Sequence, residues 1–257
     1  MRAKTTSQLL GMFAANLIFI SIARGQTDEI QVYDASIAAP GKFNLTLHSN
    51  FTPEGRQTPA FPGGIIPDGS FNGVPEWAYG VTEWFEAGVY LPVYSVSKRR
   101  GVTFDGAKIR TLFVSPHAAD RLFFYGLNFE HSYNEDYWDT ARISSEIRPI
   151  VGWHLHPVDL IFNPIVDTAY NGFKNLDFAP ETRIAYNLSS KWAIGVEEYA
   201  DLGTFGHINS LKRQTHQIFG VIDYAGKAVN VEFGAGFGLT SASDQITLKL
   251  ILSRDLN

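Results

Sequence analysis

Along most of the chain, apolar residues alternate one for one with polar or small residues, the period of extended strands that have two unlike faces. The pattern is clean at residues 123–130, where Phe123, Tyr125, Leu127 and Phe129 share one face and Phe124, Gly126, Asn128 and Glu130 the other. Residues 78–94 carry it on both sides of the break Thr82-Glu83-Trp84, which predicts a hairpin. Residues 185–199 echo that hairpin around Ser189-Ser190-Lys191. The same reading gives strands at 42–52, 103–115, 121–131, 142–153, 158–168, 176–188, 191–200, 228–238 and 246–253, and one ending near Tyr224. Residues 53–75 are rich in Pro and Gly and read as a long loop, since proline lacks a ladder donor and glycine weakens a strand interior. Residues 26–40 read either as a short N-terminal strand or as a plug inside a barrel.

The connections sort by length. Those after the second, fourth, sixth, eighth and tenth strands are short, and the others are mostly longer and more polar. Outer-membrane barrels have this asymmetry, with short periplasmic turns, longer extracellular loops and an even strand number. The expected fold is therefore all-β: a transmembrane antiparallel up-and-down β-barrel of about twelve strands occupying residues 26–257.

The N-terminus agrees with export. Arg2 and Lys4 precede an apolar run at residues 9–23, and Ala23 and Gly25 stand at signal-peptidase spacing, so residues 1–25 are expected to be a signal peptide and the mature chain to begin at Gln26. No later segment approaches the ~20 apolar residues of a spanning helix, so any crossing of a membrane must use strands. The absence of Cys excludes a thiolate nucleophile or a zinc site built on thiolates. A net charge of -5 with 21 basic residues leaves no single-sign field for nucleic acid.

Alternation alone does not say whether the apolar face meets lipid or a core. Gly88, Gly126, Gly152, Gly195, Gly234 and Gly236 fall largely on the faces that carry charge, a composition suited to a crowded, narrow lumen. Tyr79, Trp84, Tyr133, Trp138, Trp153, Trp192, Tyr199 and Tyr224 lie near strand ends and are expected to form interfacial girdles. The candidate lumen-lining residues are Glu86, Arg110, Glu130, Glu146, Arg148, Glu181, Arg183, Glu197, Glu232 and Lys249, with Lys108 beside them. Such charges either define a permeation path or form an ion-pair network that fills the barrel.

The hairpin AYGVTEWFEAGVYLP, the run HQIFGVIDYAGKAVNVEFGAGFGLT and the closing ITLKLILSRDL resemble the outer-membrane barrels grouped as the MetA-pathway-of-phenol-degradation family. The resemblance covers most of the mature chain and consists of strand patterns. It implies a location in the bacterial outer membrane and passage of aromatic or hydrophobic compounds. The function expected is a passive channel or transporter for small molecules. A lipid-modifying hydrolase, or a structural or surface-interaction barrel without transport, is the alternative. Outer-membrane lipid, a small-molecule solute and the outer-membrane assembly machinery are the expected partners. Neither nucleic acid nor a cofactor is expected.

Catalytic signatures are weak. Ser115-Pro116-His117, and Ser210 with His207, offer the residue types of a hydrolase without a nucleophile motif, and a catalytic His needs a third group to orient it. His154 and His156 form a His-x-His pair in a short turn, where an ordinary surface turn is the simpler reading than a metal site.

Overall fold

The structure is a computed structural model that describes residues 28–256; the expected signal peptide lies outside the described residues. Twelve long strands form one antiparallel sheet that closes on itself. In chain order they are β1 (Phe43–Glu54), β2 (Ser70–Thr82), β3 (Phe85–Ser97), β4 (Gly101–Val114), β5 (Phe123–Asn134), β6 (Ile143–His154), β7 (Val158–Thr168), β8 (Asp177–Asn187) and β9 (Trp192–Asp201). Two short strands, β10 (Gly203–Thr204) and β11 (His207–Ile208), make a small hairpin in a loop. β12 (Thr215–Tyr224), β13 (Asn230–Gly238) and β14 (Ile246–Asp255) complete the wall. Neighbours in sequence pair throughout, β9 pairs with β12, and β14 returns to β1 with Asn44 opposite Asp255. Closure leaves no open edge, which a strand protein in hydrocarbon requires because lipid cannot hydrogen-bond to backbone.

The two faces separate as the alternation predicts. Phe43, Leu47, Phe123, Tyr125, Phe129, Phe233, Phe237 and Leu250 are exposed, whereas Phe124, Asn128, Glu130, Thr247 and Lys249, at the intervening positions, are buried. A large exposed apolar belt around a polar interior inverts the arrangement of a soluble sheet and is what a lipid-facing barrel needs. Glycine makes room for the largest inward rings. Phe124 stands opposite Gly152 and Phe219 opposite Gly236, and a Cβ on either glycine would collide with the ring across from it.

Residues 53–75 do not form one loop. β1 runs on through Pro53 to Glu54, and β2 begins at Ser70 and carries Pro75 in its interior. The prolines are accommodated at irregularities: the β1–β14 register shifts between Phe51 and Glu54, and the β2–β3 register between Gly73 and Glu76. At such positions a missing N–H leaves no ladder bond unmade. The true loop is 55–69. Four of the other connections at that end, 135–142, 169–176, 202–214 and 239–245, are also long, while 98–100 is a tight turn. At the opposite end 83–84, 155–157, 188–191 and 225–229 are short and 115–122 is longer.

Residues 28–42 lie inside the barrel. Ile30, Val32, Tyr33, Ala35 and Ala38 are buried, and Val32, Tyr33 and Ala35 pack with Leu112, Phe124, Ile150 and Ile161 from the walls of β4 to β7. The segment reaches the short-turn end at Gly41, where Gly41 N–H and Gly80 O are 2.8 Å apart, and there it enters β1. Close approach explains the glycine at position 80, since a Cβ there would meet the carbonyl oxygens of Ala38 and Ala39.

Candidate functional site

The inward charges fall into three groups. In the first, on β1 to β5, Arg110 pairs with Glu76 at 2.6 Å and with Glu86, and Glu76 also meets His48 at 3.2 Å. Lys108 joins Asp28 at 2.8 Å and Glu130 at 3.5 Å. In the second, on β6 and β8, Arg148 is held by Glu146 at 2.7 Å, Glu181 at 3.5 Å and Glu29 at 4.0 Å. In the third, Arg183 pairs with Glu197, with Asp223 and with Glu232 at 3.2 Å, while the wholly buried Lys249 pairs with Glu197 and with Glu232 at 2.5 Å. Glu86, Arg110, Glu130, Glu146, Arg148, Glu181, Arg183, Glu197, Glu232 and Lys249 thus all lie in ion pairs inside the wall. Buried charge is tolerable only when paired in this way.

Between the groups runs the N-terminal segment, and the wall grips it along its length. Asn50 donates to Asp28 O at 2.9 Å, Lys249 to Ile30 O at 3.2 Å and Arg148 to Gln31 O at 2.8 Å. The Asn163 side chain makes a two-point bond to the Tyr33 backbone, accepting from its N–H at 2.7 Å and donating to its O at 3.0 Å. The Tyr33 hydroxyl sits 2.5 Å from the Tyr90 hydroxyl and accepts from Arg110 at 3.2 Å, and Ala38 N–H donates to Glu86 at 2.5 Å. The wall thus holds the segment by separate polar contacts and by the apolar packing of Val32, Tyr33 and Ala35 rather than by a continuous ladder.

Towards the long-loop end the interior widens into a cavity of about 800 Å³, with Asp28, Glu29 and Ile30 among its lining. Ten carboxylates and five basic side chains line it. The lining reaches from residues of the β5–β6 and β7–β8 connections down to Glu130, Arg148 and Ile165, so the cavity narrows onto the N-terminal segment and the first two charge groups.

Several contributors escaped the sequence reading. Asn72 lies in the part of β2 read as loop, Glu76 between that loop and the predicted hairpin, and Asn163 in β7, which was read as a strand but not as a source of inward polar groups. The parity that puts Ala78 inward also puts Glu76 inward two residues before it. Two girdle assignments are corrected. Trp138 is buried with Ile65, Val74, Tyr90 and Val93 because the 135–142 connection folds against the loop of Ile65. Tyr199 shares the inward parity of Glu197 and bonds to it at 2.7 Å. Tyr79, Trp84, Tyr133, Trp153 and Trp192 are exposed near strand ends, as girdle residues should be. Tyr224 packs beside Trp192.

Of the residues considered for other chemistry, His154, Ser115 and His117 have other partners. His154 is bonded to Asp159 at 2.7 Å and stacked on Phe124. Among the described residues no group of three His, Cys, Asp or Glu could hold a metal ion, and no hydrogen bond joins Ser115 to His117 or Ser210 to His207.

No family model matches the chain, and no curated protein matches it in sequence. Solved structures do match in fold. A COG4313 outer membrane channel from Pseudomonas putida F1 aligns over 89% of this chain and 100% of its own with a TM-score of 0.59 at 12% identity. The fold is that of the outer-membrane β-barrels. The KdgM porin solved with disordered oligogalacturonate aligns over 83% of this chain and 99% of its own, with a TM-score of 0.53 and 8% identity. The CymD monoaromatic hydrocarbon channel covers 85% and 89%, with a TM-score of 0.50 and 8% identity. At these identities the likeness is one of architecture.

Proposed function

We propose that this protein is a passive channel of the bacterial outer membrane for small molecules, closed at rest by its own N-terminal segment. The observation that carries the reading is the pairing of a wide cavity at the long-loop end with a segment, residues 28–42, held across the lumen by individual hydrogen bonds and ion pairs. The exposed apolar belt, the exposed Trp and Tyr at strand ends and the signal-like residues 1–25 support the location. The channels and porins among the structures of like fold, and the resemblance to barrels of phenol-degradation pathways, support the activity. Both the monoaromatic hydrocarbon channel and that resemblance favour aromatic or hydrophobic solutes. In this reading Glu86, Arg110, Glu130, Glu146, Arg148, Glu181, Arg183, Glu197, Glu232 and Lys249 line the path and grip the segment that closes it. Outer-membrane lipid surrounds the barrel and the outer-membrane assembly machinery inserts it. A hydrolase in the same membrane finds no support in the contacts of its candidate Ser and His residues.

Planar-bilayer recording of the purified protein, with and without residues 28–38, tests the proposal. Small or flickering steps are expected from the intact chain and larger, steadier ones from the deletion. A deletion variant that keeps the heat-dependent gel shift of a folded barrel yet stays silent would remove the channel reading, and concurrent lipid hydrolysis would replace it with an enzymatic one.

A further inference from the structure

One interface of the barrel wall lacks its central bonding. β6 and β7 pair from Ser145–Thr168 to Ile147–Val166 and again from Val151–Phe162 to His154–Asp159, in unchanged register. No ladder pairing joins Arg148, Pro149 and Ile150 to Ile165, Pro164 and Asn163 between them. The register sets Pro149 directly opposite Pro164, and Pro180 of β8 pairs with Pro164 on its other side. Proline has no N–H, so neither facing residue can donate across the interface. The seam lies midway along both strands, at the depth where an unmade backbone bond finds no water to replace it.

Between the two flanking stretches of ladder, the N-terminal segment contacts both lips. On the β6 lip Arg148 donates to Gln31 O at 2.8 Å, and its guanidinium lies 4.3 Å from the centre of the Tyr33 ring. On the β7 lip Asn163 is bonded twice to the Tyr33 backbone. Residues 31–33 thus staple from inside an interface that the wall leaves unbonded. Immediately behind it, Val32, Tyr33, Ile150 and Ile161 form an apolar cluster, and Ile165 lines the outer cavity. Outside it, Pro149 and Pro164 share the lipid-facing side with the exposed Ile147 and Phe162.

We propose that the β6–β7 seam is a lateral portal through which small uncharged aromatic molecules pass between the outer cavity and the membrane interior, opened when the Gln31–Tyr33 staple shifts. The portal rests on the channel reading and names its route and solute class. An apolar solute taking the axial route would have to displace the paired charges of Arg148, Lys108 and Arg110, whereas the seam presents it with Ile165, Ile150, Ile161 and two prolines.

The chain contains no cysteine, so the facing pair can be locked selectively as Pro149→Cys with Pro164→Cys. Uptake of radiolabelled naphthalene by cells carrying the protein, corrected for cells lacking it, is measured under oxidising and reducing conditions, alongside ion conductance of the purified variant in bilayers. Oxidation is expected to abolish uptake, reduction to restore it, and conductance to be equal in both states. Equal uptake in both states overturns the portal while leaving the channel intact. Absence of uptake by the unaltered protein overturns the portal together with the aromatic-solute part of the proposed function, and bilayer conductance then reports separately on the channel. Should the cysteine pair not give a heat-dependent gel shift, Pro149→Val with Pro164→Val restores both donors. Its expected effect is a several-fold loss of uptake, and undiminished uptake overturns the portal.

Discussion

At the scale of single residues, the barrel obeys one rule on each face. Leu250 is exposed midway along β14, with charged Lys249 behind it in the lumen. Leu250→Arg should cost about 2–4 kcal/mol of folding stability near the midplane, read as a lower urea midpoint for the folded band in lipid vesicles. Lys249 is the converse case. Its ammonium has no exposure and holds Glu197 and Glu232, so Lys249→Met should cost about 3–5 kcal/mol by leaving buried carboxylates short of a partner. Adding Glu197→Gln to that variant should recover part of the loss in the same titration. Both inward charges were legible, because Lys249 stands between Leu248 and Leu250, and Glu197 shares the parity of Gly195, with Ile194 and Val196 on the other face. Asp223 as a partner of Arg183 was not: β12 and β8 are separated in sequence, and only closure through β9 brings the two side chains together.

Among the elements, most strands were read within a few residues of their ends, while β2 was read only from Ala78 although it begins at Ser70, in the proline-rich stretch taken for loop. Pro53 and Pro75, read as loop, sit inside strands at register shifts, so proline density there marks irregular ladder rather than loop, whereas Pro164 lies in the strand 158–168 as read. The N-terminal element depends on the glycine that admits it. Gly80→Val would push on the carbonyls of Ala38 and Ala39, and it should raise bilayer conductance while the heat-dependent gel shift persists. The β1–β2 loop has its own tether, in which Asp68 accepts from Lys98 at 2.8 Å and from the Gly55 N–H. The Lys98 bond, then the Gly55 bond, hold the Asp68 carboxyl below its ordinary value of 3.8. Because the folded state has the lower value, the tether is fully present above about pH 4 and is lost as pH falls through the folded value. NMR signals of Gly55 and Lys98 should therefore stay constant from neutral pH down to about pH 4 and move together only below it.

For the whole molecule, a closed sheet with an outward apolar belt should resist detergent until heated, giving a mobility difference between boiled and unboiled samples on a gel. Equal mobility, with extraction as a soluble species, would contradict the membrane fold. The period-two pattern and the sorting of connections by length were sufficient to give the architecture, because in a barrel both faces of each strand are defined locally: one by lipid, the other by the lumen. Those are one-dimensional facts about side-chain alternation and turn chemistry. What lies across the lumen was decided only in three dimensions. The path of residues 28–42, the partner of each buried charge and the meeting of Pro149 with Pro164 depend on which strands closure brings together. The attraction between a guanidinium and a carboxylate, or the absence of a bond between two prolines, acts over a few ångströms of space and leaves no period along the chain.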